Sequence, residues 1–420
     1  LNGTITSIAS DPGAGALADL SRRVAKLNRW APGLLPRGRG LPAFEHVVYI
    51  IKENRTYDQV FGDLPEGDGD SSLVYFRAND GPNHRALARR FGLFDRFLCN
   101  AEVSSQGHPW STSAYVTDFT EKTVDSLYSD RRPEREGEPD EPASGYLWDL
   151  AARTGISFRD YGEYAGEVGD SKGKPRYGSK LKNLGPFVNP DYPSFDLTIP
   201  DQRRADVWIS ELGEFVRKGT MPALEILHLP GDHTAGGRPG MGTPRAYFAD
   251  NDLALGRIVE ALSKTSFWKS TVVFVVEDDA QNGPDHVDSH RAPFLAISPY
   301  SRPGRIHRFV NTTDVLRTIE EILHLSSLSQ FDHFATPLEG VFAAKADLRP
   351  YSAITPAQRL DEKNPSSGKV ARDSMKLELD EADAADEDLF NQVLWQALKG
   401  PSAPYPPARR LSALDQIRSN

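Results

Sequence analysis

The chain has 420 residues, enough for one large α/β domain or for two domains of ordinary size. Its net charge of −10 and its lack of a basic run with interleaved aromatic residues argue against nucleic acid as a partner. No apolar run approaches the ~20 residues of a membrane span, and the single cysteine, Cys99, excludes an internal disulfide and a cysteine-ligated zinc site.

Residues 1–43 predict a short strand at 1–8, a helix at 17–28 and a connector rich in proline, glycine and arginine at 32–42. The strand has no partner before the connector, so we expect it to belong to a preceding domain. Residue 1 is Leu, and no charged segment followed by an apolar segment comes after it. We therefore expect that a leader was removed or that this is a piece of a longer chain.

Residues 44–346 predict the main domain. Near-continuous apolar runs predict strands that are buried on both faces, and helices are predicted between them. The predicted strands are 45–51, 155–159, 224–229, 271–276 and 293–298, and the strongest helices are 243–262 and 312–325. This alternation predicts an α/β fold with a mostly parallel central sheet flanked by helices.

Long polar segments at 121–146 and 163–203 are expected to be loop insertions that form a lid or a rim over a site. Residues 347–420 are predicted to be an extension that packs on the domain. Its acidic run at 378–388 reads as a solvated helix start, because acids favour helix N-termini.

Acidic and amide side chains follow two of the predicted strands. The strand at 271–276 ends in Glu277, Asp278 and Asp279, and Glu53 and Asn54 come after the strand at 45–51. Ligands of open α/β sheets bind beyond the carboxyl ends of the strands. Adjacent acids repel one another, so a divalent cation is the simplest partner; an acidic or Asx-type turn is the structural alternative.

Three further clusters have residue types that suit catalysis. Asp232 and His233 follow the strand at 224–229 and form a doublet of zinc-ligand types, or a hydrogen-bonded pair in a turn. Ser104, Ser105, Gly107 and His108 form a short stretch that could hold a nucleophile. His286 and His290 lie four residues apart among acids, and Asn83 and His84 are expected in a loop that could contact phosphate. His228 is expected to be a core or edge residue.

Two of these segments resemble a known family. Residues 274–279 with Asp285, His286 and Val287 downstream, together with residues 46–58, resemble the signature motifs of the phosphoesterase family. That family contains bacterial phospholipases C and an acid phosphatase, and it is related to the alkaline phosphatase superfamily. The resemblance covers about residues 44–345 and implies an alkaline phosphatase-like fold in a periplasmic or secreted protein. The N-terminal segment also looks like the join to a β-propeller domain in larger bacterial proteins.

The resemblance implies that Glu53, Asn54, Asp278 and Asp279 bind a metal. The family's nucleophile falls near Ser104, although the Pro-Asn that normally follows it is missing here. Ser104 and Ser105 both remain candidates, and we favour Ser104.

The remaining candidates take roles from the same resemblance. Asp232, His233, His286 and His290 match the region that supplies either a second metal site or phosphate contacts. The residues assigned on this basis are Asp232 as a metal ligand, His108, His233 and His286 as catalytic residues, and Asn83, His84 and His290 as substrate contacts. Mixed oxygen and nitrogen ligands suit Zn, Mn, Fe or Ca.

The sequence therefore predicts a metal-dependent phosphoester hydrolase, phosphatase-like or phospholipase C-like, that uses a serine nucleophile and a phosphoseryl intermediate. One alternative is a non-catalytic module that is stabilised by a metal. Another is a sulfatase or phosphonate hydrolase on the same scaffold, but neither Cys99 nor Ser104 lies in the Cys/Ser-x-Pro-x-Arg context of sulfatases. Phospholipids, nucleotides and small monoesters all remain candidate substrates.

Overall fold

The computed structural model describes residues 13–27, 40–127, 140–379 and 385–407. The strand predicted at 1–8 lies outside the described residues. So do most of the connector, part of the 121–146 insertion and part of the acidic run at 378–388. The helix predicted at 17–28 is present as Ala14–Leu27.

The helices are α1 (Ala14–Leu27), α2 (Tyr57–Phe61), α3 (Pro82–Phe91), α4 (Ser104–Ser113), α5 (Asp118–Leu127), α6 (Leu147–Thr154), α7 (Asp201–Lys218), α8 (Pro244–Ser263), α9 (Thr312–Leu323), α10 (Gln330–His333), α11 (Lys369–Ser374) and α12 (Glu387–Lys399). The strands are β1 (His46–Lys52), β2 (Leu93–Phe94), β3 (Phe97–Leu98), β4 (Phe158–Tyr161), β5 (Gly166–Asp170), β6 (Pro175–Gly178), β7 (Leu224–Leu229), β8 (Thr271–Glu277), β9 (Phe294–Ile297), β10 (Arg305–Ile306) and β11 (Val310–Asn311).

The central sheet has five strands in the order β4-β7-β1-β8-β9. Strands β4, β7, β1 and β8 run parallel, and β9 pairs antiparallel with β8. This confirms the predicted α/β fold with a mostly parallel sheet. Every residue of β1, β7 and β8 is buried, which explains why these strands read as continuous apolar runs instead of alternating ones.

The two faces of β1 belong to two separate hydrophobic clusters. Val48 and Ile50 lie in one cluster, while Val47, Tyr49 and Ile51 lie in the other. Successive side chains of a strand point to opposite faces, so the sheet is covered on both sides. The first cluster also includes C-terminal residues, among them Leu377, Phe390, Val393, Leu394 and Trp395.

The helices predicted at 243–262 and 312–325 are confirmed as α8 and α9. Thr56 accepts a hydrogen bond from the Gln59 amide at the start of α2, and Thr243 caps α8, whose first residue is Pro244. None of the helices in the described ranges is long and apolar enough to cross a membrane.

Two loop predictions are wrong. Asn83 and His84 lie in helix α3, because Pro82 takes the first helical position, where its missing N–H costs nothing. The 163–203 insertion contains the antiparallel hairpin of β5 and β6 and the first residues of α7. Its polar, glycine-rich strand β5 is fully exposed, so it lacks the apolar pattern that marks a buried strand.

A buried carboxyl group in β7 makes the stability of the fold depend on pH. Burial raises the pKa of Glu225 to about 8, and its Oε2 accepts a hydrogen bond from Trp208 Nε1 at 2.6 Å. The folded state therefore holds a proton that the unfolded chain releases near the ordinary glutamate pKa of 4.5. This contribution to stability is fully present below pH ~4.5 and is lost as pH rises through about 8.

We expect Glu225→Gln to keep the Trp208 hydrogen bond and to remove this dependence. At pH 8 the variant should be more stable than the wild type by on the order of 4 kcal/mol, with a much smaller difference near pH 4.5. Urea unfolding across that pH range measures the effect. A wild-type stability that does not fall relative to the variant between these pH values would contradict the assignment.

Candidate active site

Three strand ends meet at one edge of the central sheet. Lys52, the last residue of β1, pairs with Leu229 at the end of β7 and with Glu277 at the end of β8. Because these strands are parallel, the residues that follow them emerge side by side. This register brings together the segments that begin at residues 53, 230 and 278.

A buried ion network lies directly beneath this edge. Lys52 Nζ is 2.6 Å from Asp232 Oδ2 and 3.0 Å from Glu277 Oε1, and all three side chains are buried. Asp232 Oδ1 also accepts a hydrogen bond from the Glu53 amide at 3.1 Å. Asp232 thus accepts a hydrogen bond at Oδ1 and forms an ion pair at Oδ2, and its metal ligation stays a prediction.

Ser104 lies at the centre of a three-way hydrogen-bond network. Its Oγ donates to Asp279 Oδ2 at 2.7 Å and accepts from Asn54 Nδ2, also at 2.7 Å. Asn54 Nδ2 also donates to Asp279 Oδ2 at 2.9 Å. Ser104 is buried as the first residue of α4, where the helix dipole favours negative charge. Three of the sequence-predicted residues, from distant parts of the chain, therefore share one network.

Gly107 allows helix α4 to approach Asp278 closely. Ser104, Gly107 and His108 lie on one face of the helix, at positions i, i+3 and i+4. A Cβ atom on Gly107 would lie 2.8 Å from both the backbone carbon and Oδ2 of Asp278. Only glycine fits at this distance, so the helix and the strand end are packed without space between them.

The buried oxygens at this edge suit a cation. Burial raises the pKa of Asp279 well above its ordinary value, and the neighbouring Asp278 carboxylate raises it further. Within the described residues, Glu53 Oε2 and Asn54 Oδ1 are buried and have no hydrogen-bond partner. A buried carboxylate oxygen and a buried amide oxygen beside further carboxylates are atoms of the kind that a hard divalent cation binds. Among the described residues, however, Glu53, Asp278 and Asp279 do not form a group whose ligand atoms all lie within 4.8 Å of one another, so their metal ligation stays a prediction.

A second group that could hold a metal lies on the other side of Glu53. Glu53 Oε1 is 2.7 Å from His228 Nε2 and 3.4 Å from His108 Nε2. The ligand atoms of these three residues lie within 4.8 Å of one another. His108 Nδ1 contacts Glu163 Oε1 at 2.9 Å, the carboxylate contact that typically orients a metal-binding histidine.

Hydrogen bonding and charge dominate the pKa values in this group. Burial raises the pKa of Glu53, but hydrogen bonds from His108 and His228 outweigh burial and lower it below its ordinary value. Burial lowers the pKa of His108, but the charge and hydrogen bond of Glu163 and the hydrogen bond to Glu53 together outweigh burial and raise this pKa well above 6.5. The group therefore holds an anionic Glu53 against imidazole nitrogens.

Sequence reasoning missed two members of this group. His228 lies inside β7 and was expected to be a core or edge residue, and Glu163 lies in a polar insertion without a readable motif. His228 could have been found from its position one residue before the end of β7. The parallel register places His228 opposite Ile51, close to the segment that contains Glu53.

His286 belongs to a separate ion network. Its Nδ1 is 2.6 Å from Asp58 Oδ2, and Arg291 Nη2 is 3.0 Å from both Asp58 Oδ1 and Asp285 Oδ2. The group of Asp58, Asp285 and His286 has the atoms of a metal site, but the buried Arg291 guanidinium already neutralises it. Among the hydrogen bonds and ion pairs of the described residues, none joins His286 to Ser104. The catalytic role of His286 therefore stays a prediction.

The other predicted site residues have local partners. His233 Nδ1 contacts the Thr234 carbonyl, and His290 Nδ1 contacts Asp288. His84 Nδ1 is 2.7 Å from Asp252 Oδ1, and Asn83 Nδ2 donates to Asp252 Oδ2 at 2.7 Å. These residues are buried or half-buried in structural hydrogen bonds, and their substrate and catalytic roles stay predictions.

Comparisons with known proteins give the family and the fold of the chain. A profile of the phosphoesterase family matches residues 66–326. The chain belongs to the phosphoesterase family. A protein in the alkaline phosphatase superfamily from Vibrio parahaemolyticus has a similar fold, with a TM-score of 0.50 and 15% identity over 76% of this chain and 78% of the other. The phosphoesterase thus has an alkaline phosphatase superfamily fold and is a hydrolase of phosphoesters or related esters.

Two other solved structures are similar at lower TM-scores. The lipoteichoic acid synthase of Listeria monocytogenes has a TM-score of 0.46 and 12% identity, over 91% of this phosphoesterase and 99% of that chain. Human ectonucleotide pyrophosphatase/phosphodiesterase 5 has a TM-score of 0.40 and 11% identity, over 71% and 99% of the two chains. No significant match was found among curated proteins.

Gly107→Ala tests the close approach of α4 to Asp278. The added methyl group must displace either the helix or the strand end, so we expect esterase activity to fall at least tenfold and stability to fall by about 1–3 kcal/mol. Steady-state assays with a chromogenic phosphate ester and thermal unfolding measure both effects.

Gly213→Ala is the matched control, because this glycine also lies in a helix and its Cβ would meet nothing closer than Arg217 Nη1 at 3.7 Å. Full activity is expected for the control. A Gly107 variant that is as active and as stable as this control would contradict the close packing.

Proposed function

We propose that this phosphoesterase is a metal-dependent phosphoester hydrolase that uses Ser104 as its nucleophile. The observation that carries the proposal is the network that fixes Ser104 Oγ between Asn54 Nδ2 and Asp279 Oδ2, each at 2.7 Å. A hydroxyl group held beside buried carboxylates, at the start of a helix, is oriented for attack on a phosphorus centre.

Glu53, Asn54, Asp278 and Asp279 would hold the divalent cation. When bound, such a cation lowers the pKa of an adjacent hydroxyl group and neutralises charge on the phosphoryl oxygens. The cation also explains how a chain with a net charge of −10 binds an anionic substrate, because local charge outweighs net charge at a buried site. Lys52 offsets Asp232 and Glu277 behind the site.

The residues of the chain carry the steps of the reaction. Asp279 accepts the proton of the Ser104 hydroxyl group, and Ser104 Oγ forms a bond to phosphorus as the bond to the leaving oxygen breaks. The leaving alkoxide takes up a proton from water. The hydroxide left from this water attacks the phosphorus of the phosphoseryl group, the bond from phosphorus to Ser104 Oγ breaks to release phosphate, and Asp279 returns its proton to Ser104 Oγ.

Glu53, His108 and His228 are proposed to hold a second cation. Three protein ligands that leave a position open are typical of catalytic zinc sites. Glu163 would keep the His108 ring turned so that Nε2 faces this position. The imidazoles also favour an enzyme over a structural Ca²⁺ module, since Ca²⁺ takes oxygen ligands.

Ser104→Ala should lower kcat by at least a thousandfold toward p-nitrophenyl phosphate and bis-p-nitrophenyl phosphate, because the covalent route is lost. Metal content should stay unchanged. Ser105→Ala, the matched control at the adjacent serine, should keep kcat within a few-fold of the wild type.

The reverse pattern, with activity lost only in the Ser105 variant, would move the nucleophile to Ser105. Undiminished hydrolysis in both variants would exclude a serine nucleophile at this position. Full activity of a protein whose metal content is zero after chelation would exclude the cation.

His228→Asn tests the second cation. We expect elemental analysis of protein reconstituted with Zn²⁺ to give two ions per wild-type chain and one per variant chain, because one of three ligands is lost. His46→Asn is the control, since His46 lies at the opposite end of the sheet, where its Nδ1 contacts the Pro222 carbonyl. A single ion in the wild type, or two in the His228 variant, would contradict this site.

A further inference from the structure

The C-terminal helix α12 contacts both loops that supply candidate site residues, although it lies beyond the segment matched by the family. The ring of Phe390 stacks on His233, with centroids 4.9 Å apart. The next residue, Asn391, is 3% exposed, and its Nδ2 donates a hydrogen bond to the carbonyl oxygen of Gln281. Helix α12 therefore touches the segment after β7 and the segment after β8.

Gln281 connects Asn391 to the candidate metal ligand Asp279. The Gln281 amide donates to Asp279 Oδ1 at 2.6 Å, while Asp279 Oδ2 contacts Ser104 and Asn54. Asn391 binds the carbonyl on one side of the Gln281 Cα atom, and Asp279 is bound by the amide on the other side. Contacts on both sides fix the orientation of this residue.

The segment needs such a contact because its backbone is unusual. Gln281 and Asn282 have φ values of +44° and +55°, in the left-handed region that side chains other than glycine rarely adopt. Residues in this conformation persist only where the surrounding structure holds them. The buried amide of Asn391 supplies a hydrogen bond where water has no access.

Helix α11 holds the other loop in a similar way. Ser374 Oγ accepts a hydrogen bond from the Gly237 amide at 2.7 Å. A Cβ atom on Gly237 would lie 2.3 Å from Val370 Cγ1, so the loop and the helix are in direct contact. The C-terminal extension thus packs on both loops at the edge of the sheet.

We propose that Asn391 is a positioning residue that acts on the metal ligand Asp279 through the backbone of Gln281. This inference rests on the proposed function, because it assumes that Asp279 binds the cation. Mutation of a residue that holds a metal ligand in its orientation commonly lowers metal affinity by about 10- to 100-fold. The C-terminal extension is then part of the metal site and not only a cover for the core.

Asn391→Leu removes the donor and keeps a side chain of similar shape. In the full chain, titrated with Mn²⁺ and separately with Zn²⁺ after chelation, we expect the dissociation constant to rise about tenfold. The metal concentration for half-maximal activity should rise by the same factor, while kcat at saturating metal stays near the wild-type value. Asn391→Ala removes the same donor without adding a large apolar group. It replaces the leucine variant in these titrations if that variant does not fold.

Leu394→Ala is the matched structural control, because Leu394 is a fully buried residue of the same helix. We expect it to lower the melting temperature and to leave the metal dissociation constant within twofold of the wild type. An Asn391 variant with wild-type metal affinity would overturn the proposal. So would a Leu394 variant that weakens metal binding as much as the Asn391 variants do.

A double-mutant cycle identifies the route of the effect. In an Asp279→Asn background, Asn391→Leu should weaken metal binding no further, because the ligand through which it acts is already changed. A full tenfold effect in that background would show that Asn391 acts elsewhere. Failure of the proposed function is distinguishable, since the wild type itself would then bind neither Mn²⁺ nor Zn²⁺.

Discussion

The site depends on the buried ion pairs of Lys52 with Asp232 and Glu277. Each of these residues lies at or just beyond the end of a different strand, so one ammonium group joins β1, β7 and β8 at their carboxyl ends. Removing one partner of such a buried pair leaves an uncompensated charge that costs about 3–5 kcal/mol. The parallel register of the same strands brings Asn54 into contact with Asp279.

Helix α4 then closes the site from one side. Its first residue, Ser104, meets Asn54 and Asp279, and Gly107 lets the helix lie directly against Asp278. Helices α11 and α12 of the C-terminal extension close it from another side, through Gly237 and Gln281. The strand ends, helix α4 and the C-terminal helices are far apart in the sequence, and together they hold the polar atoms of the site in place.

Much of the fold and part of the site could be predicted from the sequence. Strands buried on both faces read as apolar runs, and the acids that follow them stand out against those runs, as at Asp278 and Asp279. The contacts of His108 and His228 could not be predicted from the sequence. They depend on the register between β1 and β7 and on the conformation of the 163–203 insertion. His228 reads as a core residue until β7 is placed beside β1, and Glu163 lies in an insertion without a motif.

Clusters of acidic residues and histidines in the sequence do not all have the same environment in the fold. From its family resemblance, His286 reads as a catalytic residue in a region that supplies a metal site or phosphate contacts. In the fold, Arg291 lies only a few residues away and neutralises the acids beside it, Asp58 and Asp285. His84 reads as a phosphate contact until α3 buries it against Asp252. The segment after β1 differs, because Glu53 Oε2 and Asn54 Oδ1 are buried there without a hydrogen-bond partner among the described residues.

The most direct test of the central claim is anomalous diffraction from crystals of the metal-loaded protein, measured above and below the absorption edge of the metal. The account predicts an anomalous peak about 2.0–2.6 Å from side-chain oxygens of Glu53, Asn54, Asp278 and Asp279. A metal peak located only at Asp58, Asp285 and His286, or no peak at the strand ends in fully active protein, would contradict it.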